Sequence, residues 1–134
     1  MKREWKKLPL EYFFREVPDV RRDDIIIGID KKNCEEIMTL LTENQSHMNR
    51  FRRILYSILN EEHDKDLYGR EDVSSKACRI YAMKFQKKDN LRIYCKEFKN
   101  GKRIIMIQAH FKKGQMTKRN KEFIENLGRY EYDI

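Results

Sequence analysis

The chain has 134 residues, of which 40% are hydrophobic and 39% are charged. This length suits one folded domain, and the apolar residues occur in periodic clusters, so we expect a modest core rather than a disordered chain. No apolar run approaches the roughly 18 residues that a membrane span needs, and no long apolar stretch follows the basic N-terminus. We therefore expect a cytoplasmic protein with no membrane association.

The net charge of +8 is unevenly distributed along the chain. Residues 1–75 hold 14 Lys and Arg against 16 Asp and Glu, whereas residues 76–134 hold 16 Lys and Arg against 6 Asp and Glu. The second part therefore carries the whole positive excess. This asymmetry favours nucleic acid or an acidic protein as a partner, and a basic surface that serves solubility is the alternative.

The cysteines and histidines do not form a recognisable metal-binding pattern. Cys34, Cys78 and Cys95 are widely spaced, and each lies among apolar neighbours, which is typical of small buried residues. The three histidines are equally dispersed. We therefore expect no metal site, no cofactor and a reducing compartment.

The first half of the chain predicts one strand and two helices. Residues 1–24 contain Pro9 and Pro18 and form an extension whose structure the sequence leaves open. Residues 25–29 are a β-branched apolar run that predicts a buried strand, and Asp30 is a candidate N-cap for the helix that follows. Asn44 is expected to end this helix and to separate it from a second one. The apolar residues at helical spacing are Cys34, Ile37, Met38 and Leu41 in the first helix, and Met48, Phe51, Ile54, Leu55, Ile58 and Leu59 in the second.

The second half predicts a sheet and a last helix. Residues 61–76 are charged and predict a loop, after which the apolar period changes to two. Three strands are expected at residues 77–85, 91–98 and 103–111, joined by a polar turn and by a type I′ turn at Asn100-Gly101. Gly114 should stop the sheet, and Thr117 can cap a helix whose inward residues are Phe123, Ile124 and Leu127.

The predicted fold class is α+β: a helical hairpin packed on a small antiparallel β-sheet, with a short C-terminal helix. The short link between the two long helices makes them an antiparallel hairpin. The helices should cover one face of the sheet and leave the other face free.

The Asn100-Gly101 turn predicts a register that pairs Phe98 with Arg103 and Arg92 with Ala109. Side-chain alternation then assigns one set to the free face: Arg92, Tyr94, Lys96, Phe98, Arg103, Ile105, Ile107, Ala109 and Phe111. The opposite set, which should pack under the helices, is Leu91, Ile93, Cys95, Ile104 and Met106. Cations bind phosphates and aromatic rings stack on bases, so the free face is typical of a surface for unpaired RNA. An ordinary solvated sheet face is the alternative.

Several short features follow one another in the second half. They are Leu67-Tyr68-Gly69, Leu91-Arg92-Ile93-Tyr94, the charged Asn-Gly hairpin, Ile104-Ile105-Met106-Ile107 and His110-Phe111-Lys112-Lys113. In this order they resemble the RelE/HigB-like toxins of bacterial type II toxin–antitoxin systems, in the RelE/ParE superfamily. The resemblance covers about residues 25–130 and is carried mainly by residues 91–127. It implies a RelE-like toxin domain at residues 25–134, with residues 1–24 as an extension.

The resemblance also implies a function. RelE-like toxins are ribosome-dependent mRNA endonucleases that cleave A-site mRNA through the ribose 2′-OH without a metal ion, and a cognate antitoxin protein neutralises them. Two alternatives stay open. One is a ParE-like, non-enzymatic toxin that acts on DNA gyrase, and the other is a non-catalytic module that binds RNA or the ribosome.

The catalytic residues that the resemblance implies are mainly cations. Arg92 matches the family's arginine on the middle strand. Lys84 is the candidate match for a family lysine on the preceding strand, and the turn at residues 86–90 leaves its register against Arg92 open. Lys112 and Lys113 match a basic pair after the last strand. His110 is a candidate acid or base because histidine titrates near neutral pH, although alternation points it to the core side.

Further residues are candidates for binding RNA: Arg79, Lys87, Lys88, Tyr94, Lys96, Arg103 and Tyr130. Some relatives have a tyrosine shortly after the basic pair. This chain has none there, so Tyr130 or Tyr132 would have to replace it. The general base is not identified by the sequence. The arginines at positions 50, 52 and 53 either contact ribosomal RNA or solubilise their helix.

Overall fold

The computed structural model describes residues 2–14, 24–71, 79–85, 90–111 and 118–134, with the backbone alone at residues 118–120. The helices are α1 (Leu10–Phe13), α2 (Cys34–Thr42), α3 (Gln45–Leu59) and α4 (Lys118–Gly128). The strands are β1 (Lys2–Arg3), β2 (Trp5–Lys7), β3 (Ile26–Asp30), β4 (Tyr68–Arg70), β5 (Ile80–Lys84), β6 (Leu91–Phe98), β7 (Arg103–Phe111) and β8 (Glu131–Tyr132). The expected features at Lys87, Lys88, Gly114, Thr117 and Cys78 lie outside the described residues. No helix in the described ranges is long and apolar enough to cross a membrane.

The main sheet has six strands in the order β2-β3-β7-β6-β5-β4. The α+β class is confirmed, but the sheet is mixed rather than antiparallel, because β3 and β7 run parallel. The chain leaves β3 through α2 and α3 and re-enters the sheet at the far edge in β4. Each of β5, β6 and β7 then runs antiparallel to the strand before it. As a result, β7 lies beside β3 and runs in the same direction.

The two faces of the sheet carry separate hydrophobic clusters. Under α2 and α3, buried residues such as Ile37 and Phe51 pack on Ile93 and Met106 from the sheet. The expected inward set of β6 and β7 is thus confirmed. The other face is not free, because residues of α4 and β8 bury a second cluster there: Ile80, Ala82, Tyr94, Ile105, Ile107, Ile124, Leu127 and Tyr132. The expectation of an uncovered face was wrong, since α4 has its own apolar stripe to bury.

Most predicted elements are present, and their ends differ in informative ways. Asn33, not Asp30, is the N-cap of α2. The Asp30 carboxylate instead accepts the backbone N–H groups of Lys32 and Asn33 in the preceding turn. Asn44 is the N-cap of α3, where its side chain accepts two backbone N–H groups, rather than the end of α2. The predicted loop at 61–76 contains β4, which the sequence missed.

The register of β6 and β7 agrees with the prediction only near the turn. Phe98 pairs with Arg103 as expected, and both Asn100 and Gly101 have positive φ angles, as a type I′ turn requires. Beyond Cys95 the pairing slips by one residue, because Ile107 is an extra residue on β7. This β-bulge is stabilised by Asn33, whose Nδ2 donates to the Ile107 carbonyl at 2.9 Å.

The bulge changes the partner of every residue beyond it. Arg92 therefore lies opposite His110, not opposite Ala109 as predicted. Ala109 belongs to the cluster under the helical hairpin instead of the Arg92 face. Phe111, also predicted on the Arg92 face, lies opposite the buried Leu91.

The N-terminal segment is part of the fold. β2 extends the sheet by pairing with β3, and Leu8 and Phe13 are buried in the cluster under the helical hairpin. β1 pairs in parallel with β8, so that the two ends of the chain lie side by side. The pair is held by Asp30, whose carboxylate accepts hydrogen bonds from Arg3 and from the hydroxyl of Tyr132.

Candidate active site

Three polar side chains form a row across neighbouring strands at one end of the sheet. Arg92 on β6 lies opposite Lys84 on β5 and opposite His110 on β7. Directly opposed residues point to the same face, with Cβ atoms about 4.5–5.5 Å apart. Tyr94, two residues along from Arg92, packs in the cluster with α4, so the row lies on the α4 face. Two cations and an imidazole are thus brought together.

His110 lies on the Arg92 face, and the expectation that it points to the core under the helical hairpin was wrong. The bulge at Ile107 shifts the alternation of β7 by one residue before His110 is reached. The imidazole stacks on the ring of Phe123 from α4, with the centroids 4.6 Å apart. It is half-buried, so its orientation is restrained while part of it stays in contact with solvent.

The Arg92 guanidinium lies beside a buried carboxylate. Its Nη1 is 3.9 Å from Oε1 of Glu71, and the Arg92 side chain is 20% exposed. Within the described residues, Nε and Nη1 of Arg92 and Oε1 of Glu71 are buried without a hydrogen-bond partner. Buried guanidinium donors are normally paired. Glu71 is the carboxylate that faces these donors, at a distance longer than a hydrogen bond.

Two small residues make room for these long side chains. Gly69 on β4 and Ala82 on β5 are paired neighbours, and Glu71 follows β4 with its N–H bonded to the Ile80 carbonyl. A Cβ atom at Gly69 would lie 3.4 Å from Nζ of Lys84. Arg92 reaches the Glu71 carboxylate past these two small residues.

Two residues predicted to bind RNA are occupied within the fold. Tyr94 is 0% exposed, so its ring is not available to stack on a base. Burial, together with the charge of Glu71, raises the pKa of Tyr94 to about 12. Nζ of Lys96 donates to the carbonyls of Gly128 and Tyr130, at 2.7 and 3.0 Å, and so caps the C-terminal end of α4.

The remaining predicted contacts are dispersed. Arg103 donates to the carbonyl of Asp24 at the opposite end of β7 from His110. Arg79 is exposed, and its charge acts on the carboxylate of Glu97. Tyr130 carries the Arg3 guanidinium over its ring at 4.2 Å. Lys87, Lys88, Lys112 and Lys113 lie outside the described residues, so their expected roles stay predictions.

Two further expectations concern the missing tyrosine and the arginines of α3. Tyr132 is buried, and its hydroxyl donates to Asp30, so it does not reach the row.

The arginines of α3 have structural partners. Arg50 donates to the carbonyls of Lys84 and Asp66, Arg52 to the carbonyl of Phe13, and Arg53 to the carboxylate of Glu62.

Glu71 is the site residue that sequence reasoning missed. It lies directly after β4, which was predicted as loop because the segment is charged and contains Gly69. If Tyr68-Gly69-Arg70 is taken as a strand, alternation puts Gly69 and Glu71 on one face. This alternation is the signal that the sequence contains, but it identifies a strand only together with the pairing of β4 with β5.

Comparisons with known proteins give no further guide to this site. No family model matches the chain, and searches of curated proteins and of solved structures returned no significant match. Among the described residues, no three His, Cys, Asp or Glu side chains are grouped so that they could hold a metal ion.

Proposed function

We propose that this protein is an endoribonuclease that cleaves mRNA in the ribosomal A site without a metal ion. The observation that carries the proposal is the position of Arg92. Its guanidinium lies beside the Glu71 carboxylate, and Lys84 and His110 are its partners on the two neighbouring strands. Guanidinium groups bind phosphate through paired N–H donors. A carboxylate and an imidazole beside a bound phosphate supply a base and an acid.

Each residue has a distinct role in the proposed reaction. Glu71 removes the proton from the ribose 2′-OH, and the oxygen then forms a bond to the adjacent phosphorus. The bond from phosphorus to the 5′-oxygen breaks, and His110 donates a proton to that oxygen. Arg92 and Lys84 stabilise the negative charge that builds up on the phosphate oxygens. The products are a 2′,3′-cyclic phosphate and a 5′-hydroxyl, so no external reactant is needed.

The ribosome and the neutralising partner come from the resemblance of residues 25–130 to RelE-like toxins. The excess of cations after residue 75 supports an RNA-rich target, because counterion release favours binding to phosphates. A cognate antitoxin protein is proposed to cover this basic surface. The site of action is then the cytoplasm, where ribosomes translate.

The test is cleavage of mRNA on programmed ribosomes by the wild-type protein and by three variants. Arg92→Ala should lower the cleavage rate by about 100-fold or more, because it removes the main contact to the developing charge. Glu71→Gln and His110→Asn should each lower it by roughly 100-fold to 10,000-fold. The cleaved RNA should end in a 2′,3′-cyclic phosphate.

Lys99→Ala is the matched control, because Lys99 is an exposed cation in the turn at the other end of β6. It should cleave within about twofold of wild type, as expected for a distant surface charge. The proposal is wrong if the wild-type protein leaves ribosome-bound mRNA intact, or if Arg92→Ala cleaves as fast as wild type. RNA binding without cleavage would instead favour a non-catalytic module.

A further inference from the structure

A second site lies on the opposite face of the sheet from Arg92. An open cavity of about 380 Å³ is lined by the end of α3, the segment that follows it and strands β4 to β7. Ile25, Ile58 and Ile104 give it apolar walls. Small-molecule sites in proteins have volumes of about 300–1,000 Å³, apolar walls and a few converging polar groups. This cavity has that size and composition, and the proposed cleavage reaction does not use it.

The polar groups converge on Glu97. The Tyr68 hydroxyl donates to Oε2 of Glu97 at 2.6 Å, and Tyr81 also donates to this carboxylate. The two tyrosine rings are stacked, with centroids 5.2 Å apart and planes 14° from parallel. Burial raises the pKa of both tyrosines, so their hydroxyls remain donors at neutral pH. The two hydroxyls therefore orient the Glu97 carboxylate, which lines the cavity and can accept further hydrogen bonds.

The rim of the cavity carries charges of both signs. Lys65 and Arg70 are exposed cations there, and His63 lies between them and the end of α3. Of the two rim carboxylates, Asp64 accepts the N–H of Asp66 and closes its own turn. Glu61 is the other rim carboxylate, at the end nearest α3. Lys65 and Arg70 are thus the exposed lining cations that an anionic group of a ligand can contact.

We propose that this cavity binds the guanine base of a nucleotide, with Glu97 accepting from the base, Tyr81 stacking on it and Lys65 and Arg70 facing its phosphate. Guanine has adjacent N–H donors at N1 and N2, which match a carboxylate that only accepts. Adenine has an acceptor at N1, which a carboxylate repels. A peptide arginine also has paired donors, but it has no anionic group to place beside Lys65 and Arg70.

The guanine nucleotide could be free or part of an RNA strand, and calorimetric titration of the full chain separates the two. GMP should bind, IMP should bind about tenfold more weakly because it lacks the N2 amino group, and AMP should bind at least tenfold more weakly still. Single-stranded RNA with one G, compared with the same RNA carrying A, provides the second arm. Tighter binding of the G-containing RNA than of GMP indicates the strand as the source, and the reverse indicates the free nucleotide.

Glu97→Gln is the test variant, and it should weaken GMP binding by about 10-fold to 100-fold. Glu36→Gln is the matched control, because Glu36 is an exposed carboxylate in the first turn of α2 and should leave GMP binding unchanged. Tyr81→Leu removes the stacking ring and one of the two hydroxyls that donate to Glu97, but it keeps the carboxylate itself. It should also weaken GMP binding, and it serves as a second test in case Glu97→Gln fails to fold. The proposal is overturned if AMP binds as tightly as GMP, if neither GMP nor the G-containing RNA binds, or if both variants bind GMP like wild type. Since the cleavage assay does not depend on this cavity, failure here leaves the proposed function standing.

Discussion

Nε of Arg3 lies 2.7 Å from Oδ2 of Asp30, so that a cation near the start of the chain neutralises a carboxylate at the end of β3. A second contact, from Nη2 of Arg3 to Oδ1, is 3.1 Å long and makes the pair bidentate. Asp30 is 0% exposed, whereas the Arg3 side chain is 21% exposed. Among the residues that the structure describes, Arg3 is therefore the cation that neutralises this carboxylate.

Arg3→Ala should destabilise the protein by about 3 kcal/mol, because it leaves a buried carboxylate without its cation. Chemical denaturation followed by circular dichroism measures the change. Lys2→Ala is the control. The Lys2 ion pair with Asp133 is exposed and screened by solvent, so its loss should leave the free energy of unfolding almost unchanged. Equal losses in the two variants would contradict the role assigned to Arg3.

The same carboxylate predicts a dependence of stability on pH. Burial alone would raise the pKa of Asp30, but hydrogen bonds from Arg3, Tyr132 and the Asn33 N–H outweigh burial and lower it. The pKa is then lower in the folded state than in the unfolded state, where it is about 3.9. The contribution of Asp30 is fully present above that value and is lost as the pH falls through the lower, folded pKa.

Acid denaturation of wild type and of Asp30→Asn checks this dependence. The wild-type free energy of unfolding should fall below about pH 4 more steeply than that of Asp30→Asn, which has no proton to take up at this position. Above about pH 5 the two slopes should agree. Parallel curves throughout the acid range would show that Asp30 has the same pKa in both states.

Gly28→Ala should destabilise the contact between β2 and β3. A Cβ atom at position 28 would lie 2.3 Å from Cε3 of Trp5 and 2.9 Å from Cδ1 of Ile105. Either the indole or the strand must move, at a cost of about 1–3 kcal/mol. Thermal denaturation measures the loss, and because Trp5 is the single tryptophan, its fluorescence reports the movement directly. Gly69→Ala, with an ordinary 3.4 Å contact, should change stability by less than about 1 kcal/mol.

If the site binds RNA, Lys84 should contribute to the salt dependence of binding. Each phosphate contact to single-stranded nucleic acid adds about 0.7 to the slope of log K against log salt. Lys84→Ala should therefore reduce the slope by about 0.7, measured by fluorescence anisotropy with a labelled RNA. Lys99→Ala, in the turn after β6, should leave the slope unchanged. An unaltered slope in Lys84→Ala would show that Lys84 makes no phosphate contact.

Periodicity predicted the elements that bury a regular apolar face. The spacing of Met48, Phe51 and Leu55 predicted α3, and alternation with the Asn-Gly turn predicted β6 and the start of β7. β4 was missed because three residues without apolar alternation become a strand only through their pairing with β5. Local sequence does not contain that tertiary contact.

The candidate site was predicted only in part, again because local sequence does not contain the tertiary contacts that form it. Arg92 and Lys84 were identified, and the structure pairs them directly. The position of His110 was wrong because Ile104 to Ile107 is apolar on both faces of the sheet. In such a run a slip of one residue exposes nothing, so the hydrophobic pattern cannot fix the register. Glu71 was missed together with β4.

The extra residue at Ile107 makes the site sensitive to the length of β7 as well as to its composition. Deletion of Ile107 would restore strict alternation along β7 and turn His110 towards the helical hairpin. Every side chain of the site would still be present. Substitution at Ile107 by another apolar residue would leave His110 where it is. Deletion scanning would therefore locate a determinant that alanine scanning passes over, and homologues of this chain should tolerate replacements at this position far better than gaps.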